Sequence, residues 1–552
     1  MFSNFIKNIV KVKRCSEALL HKQKAKFESG VYDGPNSRQF EVPALLITPP
    51  PAPSYHLSDT DAPLPSIMDQ EAAVCCGQMQ SRFGRAALED IPAELRCHIL
   101  SFLSYNEIIR CALTSHTMYD TVKSSVELQY IIELGSQKLI QVHPRPPTVS
   151  TAECLHIIRD KANAWNSFEL DATKAKALRF PGVFNSSSII HQQLGLSNSS
   201  IDENAAYHAI DFKSYATRAS RRWRHDHHPV IRTTRFMDDA QDLIITARFP
   251  TAIDSHEFKV LFHTISTGEE HPLAHESRVV AGKLACDEEG DLNVSVSVLG
   301  DRIALCVAEK DENGDSYWSL HVWNWHQGGQ ADDISVIGKG HDFCDVRFLT
   351  RERLLVLSSD VFHSAQNCAR LKSPDDHWIW TTNPADRVIS VMWSFPTSVF
   401  VISARIFLMN IPPTWFDATL KDGLSVPWSS WGPQNSRCFG GAGNFGVGGS
   451  RVIRVVPVAG RSDSSFQLHM TDFNSSAVAR GIGKVTREPT TTTIVSDVEV
   501  TTCLPFVEVV YDQVFDASPW DIALNEERMV ISTLAKTESI FTTNTEGIVF
   551  DM

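Results

Sequence analysis

Leu88-Glu-Asp-Ile-Pro-Ala-Glu-Leu-Arg-Cys-His-Ile-Leu-Ser-Phe-Leu103 is the stretch from which the rest of the chain is read. Its apolar residues recur every three or four positions, the period of a helix with one greasy face. Pro92 suits a first helical turn, where a missing N–H costs nothing. Asp90 is a cap just ahead of it, and Glu94 favours the positive end of the helix dipole. Leu95, Ile99 and Phe102, with Leu100 and Leu103, form a wide apolar face. Asn106 can cap a second helix carrying Ile108, Ile109, Ala112 and Leu113, and a third short helix sets Met118 and Val122 four apart. Leu128, Tyr130, Ile131 and Leu134 continue the helical trend. Three short helices share only a small core, and a unit of that size usually needs support from a neighbour or a partner. The apolar side chains here outnumber what such a core can bury. The surplus predicts a docking module with one face covered by another protein.

The order Ile91-Pro-Ala-Glu-Leu, Ile99-Leu-Ser-Phe-Leu, Ile108-Ile-Arg-Cys-Ala-Leu113 and then Met118 resembles the F-box family. Arg96, Thr114 and Met118 depart from the usual aliphatic, valine and aromatic residues of that pattern. The resemblance implies docking to a Skp-type adaptor, which joins F-box proteins to a cullin and a RING protein that carries the ubiquitin-conjugating enzyme. It also marks Pro92, Leu95, Ile99, Leu100, Leu103 and Ile108 as the adaptor-facing surface.

Upstream, residues 1–86 read as a disordered arm, basic and then proline-rich. Phe2, Phe5, Ile6, Ile9 and Val10 sit at helical spacing, and residues 1–26 carry a charge of +6 within a chain of net −14. A membrane-surface anchor, an import presequence, a nuclear address around Lys11–Arg14 and a frayed tail are the readings of that segment. Thr48-Pro-Pro-Pro-Ala-Pro53 is an extended spacer.

Downstream of the helical unit (87–135), residues 150–168 predict one linking helix. Ser150-Thr-Ala-Glu153 has capping-box form, and Leu155, Ile158, Ala162 and Trp165 share a stripe. From 170 to 552 the period becomes two. Leu243-Ile-Ile-Thr-Ala-Arg-Phe, Phe258-Lys-Val-Leu-Phe, Ile303-Ala-Leu-Cys-Val307 and Val452-Ile-Arg-Val-Val are strands separated by turn clusters. So long an all-β region is too large for a single sandwich, and a β-propeller is the expected architecture. One blade is legible between Ser319 and Asp360. Leu320-His-Val-Trp-Asn324 resembles a strand ending in Trp-Asp, followed by Gly340-His341, Val346-Arg-Phe348 and Leu354–Asp360. His377–Trp380 and Trp428–Trp431 are candidates for degenerate blades. The fold class is therefore α+β multidomain, a small trihelical F-box plus a large all-β body.

Several function classes are excluded at this level. A net charge of −14 disfavours general nucleic-acid binding. No run reaches the ~18–20 apolar residues of a membrane span, and residues 2–10 are too interrupted for a secretory signal. The twelve cysteines are scattered without a CxxC pair, as in a reduced intracellular protein. Gly441-Ala-Gly-Asn-Phe-Gly446 spells GxGxxG but leads into a strand, so it reads as a loop. Arg221–His228 clusters cations and imidazoles, without the cysteine or carboxylate ligands of a metal site. No catalytic, cofactor or metal residues are predicted. The resemblance implies a non-catalytic substrate receptor of an SCF-type ubiquitin ligase, cytoplasmic and/or nuclear, whose protein substrate the residues do not name. An F-box scaffold without a ligase role is the alternative, and a hydrolase propeller is a weaker third.

Overall fold

The computed structural model describes residues 13–14, 88–141, 149–168, 176–180, 186–190, 193–197, 207–211, 220–223, 231–238, 241–250, 257–264, 266–274, 278–283, 293–310, 316–327, 335–341, 344–351, 353–358, 362–366, 380–394, 397–410, 412, 426–441, 444–461, 465–495, 498–515, 519–524, 528–535 and 544–551. The proline spacer and most of the basic arm lie outside these residues. Lys13–Arg14 are described and form a short strand.

The helical unit holds four α-helices where three were expected: α1 (Ala93–Leu100), α2 (Tyr105–Ala112), α3 (His116–Ser124) and α4 (Val126–Ser136). Ser125 separates the last two by adopting an extended conformation, and its hydroxyl accepts from Leu128 N at 3.3 Å. The caps also differ from the sequence reading. Asp90 closes a 3-10 turn, and Pro92 itself takes the cap position of α1. Ser104, not Asn106, starts α2: the Glu107 carboxylate accepts from the Ser104 N–H at 2.8 Å and its hydroxyl at 2.7 Å. Those bonds hold the Glu107 carboxyl below its usual range. Leu100, Ile108, Val122 and Leu128 make the core, with Cys97, Leu103, Cys111 and Ile131 packed against it.

The linking helix α5 (Thr151–Ser167) begins at a reciprocal box, with Ser150 N donating to Glu153 at 2.7 Å and Glu153 N to Ser150 at 3.2 Å. One end of it packs Cys154 and Ile158 against Trp380, Tyr130 and Leu134. The other end sinks Trp165 and Phe168 among Ile453, Leu468, Met470, Ile522 and Met529 of the β region. Phe168 ends the helix in the left-handed region, at φ 47°.

Among the described residues every strand pairing is antiparallel, in small sheets of two to five strands. Consecutive strands build most of them, such as Ile231–Asp238, Leu243–Pro250, Glu257–Thr264 and Arg278–Lys283. Other pairings are non-local: Lys176–Phe180, the first described strand after α5, pairs with Asn544–Asp551 at the other end of the β region. Neighbouring sheets touch through their leading strands. Ile231–Asp238 lies by Asn293–Leu299, which lies by Cys344–Thr350, while Phe445–Gly448 lies by Pro519–Leu524, which lies by Ser186–Ile190. Gly446 permits one of these approaches, since a Cβ there would stand 2.7 Å from Ile522 Cγ2.

The region is β-rich without being all-β. Arg405–Leu408, Trp428–Asn435 and Ser475–Arg480 are helical, so Trp428–Trp431 is no strand. Trp428 and Trp431 are held edge-to-face at 4.9 Å, against Phe400 and Phe407. The strands expected from the legible blade form but do not make one blade: Ser316–Asn324 and Ser335–His341 close one sheet, while Cys344–Thr350 and Arg353–Ser358 pair in the next. Asn324 donates to Asp301 at 2.7 Å, Arg351 donates to the same carboxylate at 2.7 Å, and together they lock that turn. The GxGxxG stretch connects strands on both sides, Ser436–Gly440 and Phe445–Gly448.

Candidate docking surface on the helical unit

On α1, Leu95 and Ile99 lie one turn apart and face solvent, 53% and 44% exposed. The helix then closes with Phe102 N donating to Ile99 O and Leu103 N to Leu100 O. That tight turn throws the Phe102 ring outward, 77% exposed, edge-on to His98 at 5.0 Å. Leu88, Ile109 and Leu113 add further uncovered apolar area, Leu113 at the end of α2 being 79% exposed. Fully burying a side chain of this class gains about 1.5–3 kcal/mol, so covering several half-exposed ones gives a useful contact energy.

The six residues named for an adaptor divide by burial. Pro92, Leu95 and Ile99 are exposed, and Leu103 is half-buried against the core. Leu100 and Ile108 are a correction: both are 0% exposed and belong to the interior of the unit. Residue 100 sits 100° around the helix from 99, which turns its side chain toward α3 and α4. Phe102, Ile109 and Leu113 were missing from the six. Phe102 follows Leu95 and Ile99 at helical spacing, the signal that points to it.

The opposite side of the unit is anchored to the β region. Lys138, at φ 58°, turns the chain from α4 into Leu139–Gln141, which pairs with Trp380–Thr382. Asn383 N donates to Lys138 O at 2.8 Å and Trp380 Nε1 to Tyr130 OH at 2.6 Å. Lys138 Nζ reaches Tyr105 OH at 3.3 Å. Burial raises the Tyr105 pKa, but hydrogen bonds with Ser476 and Lys138 and the lysine charge outweigh it, and the phenol lies below its ordinary value. Gly135 makes room for that ring, since a Cβ would fall 2.2 Å from Tyr105 Cδ1. The Arg451 guanidinium stacks 4.8 Å from the Trp165 ring centroid while pairing with Asp472 at 3.2 Å. The uncovered apolar stripe is thus carried on a unit fastened to the β region at both ends of α5.

Residues 88–129 match the family described as the F-box domain. The helical unit is therefore similar to F-box domains over those residues. No curated protein matches the sequence. Among solved structures, a subtype N11 neuraminidase-like protein of A/flat-faced bat/Peru/033/2010 (H18N11) is 8% identical, with 69% of this chain and 91% of that one covered at a TM-score of 0.30. The polysaccharide lyase Uly1 is also 8% identical, covering 67% and 90%, at a TM-score of 0.31. At scores this low the likeness bears on neither fold nor activity. Among the described residues no helix is long and apolar enough to cross a membrane. The exposed stripe Leu95–Ile99–Phe102 and the buried pair Leu100 and Ile108 both fall within the F-box.

Proposed function

We propose that this chain is a non-catalytic substrate receptor of an SCF-type cullin–RING ubiquitin ligase, working inside the cell in the cytoplasm or nucleus. F-box domains typically bind Skp-type adaptors, and the F-box here carries an uncovered apolar stripe at Leu95, Ile99, Phe102 and Leu113. That stripe is the observation that carries the reading. Catalysis is then by proximity: the β region holds a protein substrate and raises the local concentration of its lysines near the ubiquitin thioester. Fastening at Trp380–Tyr130 and Trp165–Arg451 supports this, since a loosely tethered receptor would dilute that concentration.

In the same reading the β region is a propeller of small antiparallel blades presenting loops to the substrate. Its support is the run of leading strands that touch from sheet to sheet, and the sheet in which Lys176–Phe180 pairs with Asn544–Asp551. The test is affinity purification of the full chain beside a Leu95→Asp/Ile99→Asp variant. Adaptor and cullin should be lost from the variant while β-region partners stay bound, and at least one such partner should gain half-life in cells. Equal adaptor recovery, or no partner whose half-life changes, overturns the proposal.

A further inference from the structure

The sheet formed by Cys344–Thr350 and Arg353–Ser358 has two strands of its own, whereas the sheets on either side of it in sequence have four. Its two edges are treated differently. Along Cys344–Thr350, the Val346 and Phe348 amides donate to the hydroxyls of Ser295 and Ser297, at 3.4 Å and 3.0 Å. Side chains of the neighbouring sheet therefore occupy that edge. The edge along Arg353–Ser358 has as its neighbour the strand Lys13–Arg14, with Lys13 opposite Leu354 and Arg14 opposite Arg353.

We infer that the outer edge of Arg353–Ser358 is a strand-addition site, and that this chain's own basic arm, through Lys13–Arg14, is its occupant. An edge carrying Leu354, Leu355 and Val356 in succession is a template for unwanted pairing if left bare. Charge does not explain the choice of occupant. In register, Arg14 is the partner of Arg353, and a like-charged pair of residues at one register position is disfavoured. The Arg353 guanidinium is instead engaged with the Phe407 carbonyl. Main-chain hydrogen bonds are what remain, as in other strand-addition complexes. The arm thus blocks, from within the chain, an edge to which an extended segment of another protein would otherwise add.

Amide hydrogen exchange of the full-length protein, read on peptides spanning 353–358, tests this. Replacing Lys13 and Arg14 by proline breaks the extended pairing, so that 353–358 amides donating to the arm's carbonyls are freed, and replacing them by alanine keeps the main chain. The proline double variant should exchange about tenfold faster at 353–358, the scale of one lost backbone hydrogen bond. The alanine double variant should match the wild type, and peptides from Arg302–Lys310 should stay unchanged in both as a folding reference. Unchanged exchange in the proline variant overturns the inference. So does equal acceleration by alanine, which would assign the contact to side chains. Protection that rises with protein concentration also overturns it, because a second copy's arm would then be the occupant.

Discussion

Ile99 and Leu100 are adjacent and equally greasy, yet one is 44% exposed and the other fully buried. The period of 3.6 told of an apolar face on this segment but not which flank of it meets α3 and α4. Only the packing decides that, so the periodicity alone does not separate the buried Leu100 and Ile108 from the exposed Phe102. The two kinds of residue should respond differently. Leu100→Ala or Ile108→Ala should each destabilise the helical unit by about 2–5 kcal/mol. Leu95→Ala should cost at most ~0.5 kcal/mol, and urea unfolding followed by circular dichroism separates them. A second residue-scale prediction concerns Cys438, 4% exposed, whose thiol burial pushes up to about 12. In the native protein at pH 8 it should resist iodoacetamide and react only after unfolding, as mass spectrometry of the labelled peptide will report.

Among the elements, α5 was the most legible, because its capping box and its stripe through Trp165 are local features. The start of α2 was not, since Asn106 and Ser104 are both good caps and only Ser104 has a glutamate three residues on. Trp428–Asn435 was misread for another reason. A stretch with Gly432 and Pro433 is a poor helix former, and aromatic packing on Phe400 and Phe407 overrides that propensity. Two predictions belong here. Trp165→Ala removes both the buried ring and the platform for Arg451, and should lower stability by about 3–5 kcal/mol in denaturant titrations. The Glu107 cap has a folded pKa below its unfolded value near 4.5. Its contribution is therefore present above that value and lost as pH falls through the lower folded one. The thermal midpoint of Glu107→Gln should fall short of the wild type at pH 7, and the difference should close toward pH 3.

At the scale of the molecule, alternation of period two announced a β-rich body, and the strands through Leu243, Ile303 and Val452 formed. The joining of Lys176–Phe180 to Asn544–Asp551 was not legible, because the partners lie at opposite ends of the region and neither strand carries a mark of its mate. The same holds for the seam where Leu139–Gln141 meets Trp380–Thr382 and couples the F-box to the body. A chain-wide consequence follows from that coupling: the apolar stripe is joined to the β region through this seam. The most direct test of the account is calorimetric titration of a purified Skp-type adaptor into the full-length protein and into its Leu95→Asp/Ile99→Asp variant. The account predicts one-to-one binding by the wild type and at least about a hundredfold weaker binding by the variant, the scale of two buried apolar contacts replaced by charge, at an unchanged melting temperature. Equal affinity of the two proteins, or no binding by the wild type, would contradict it.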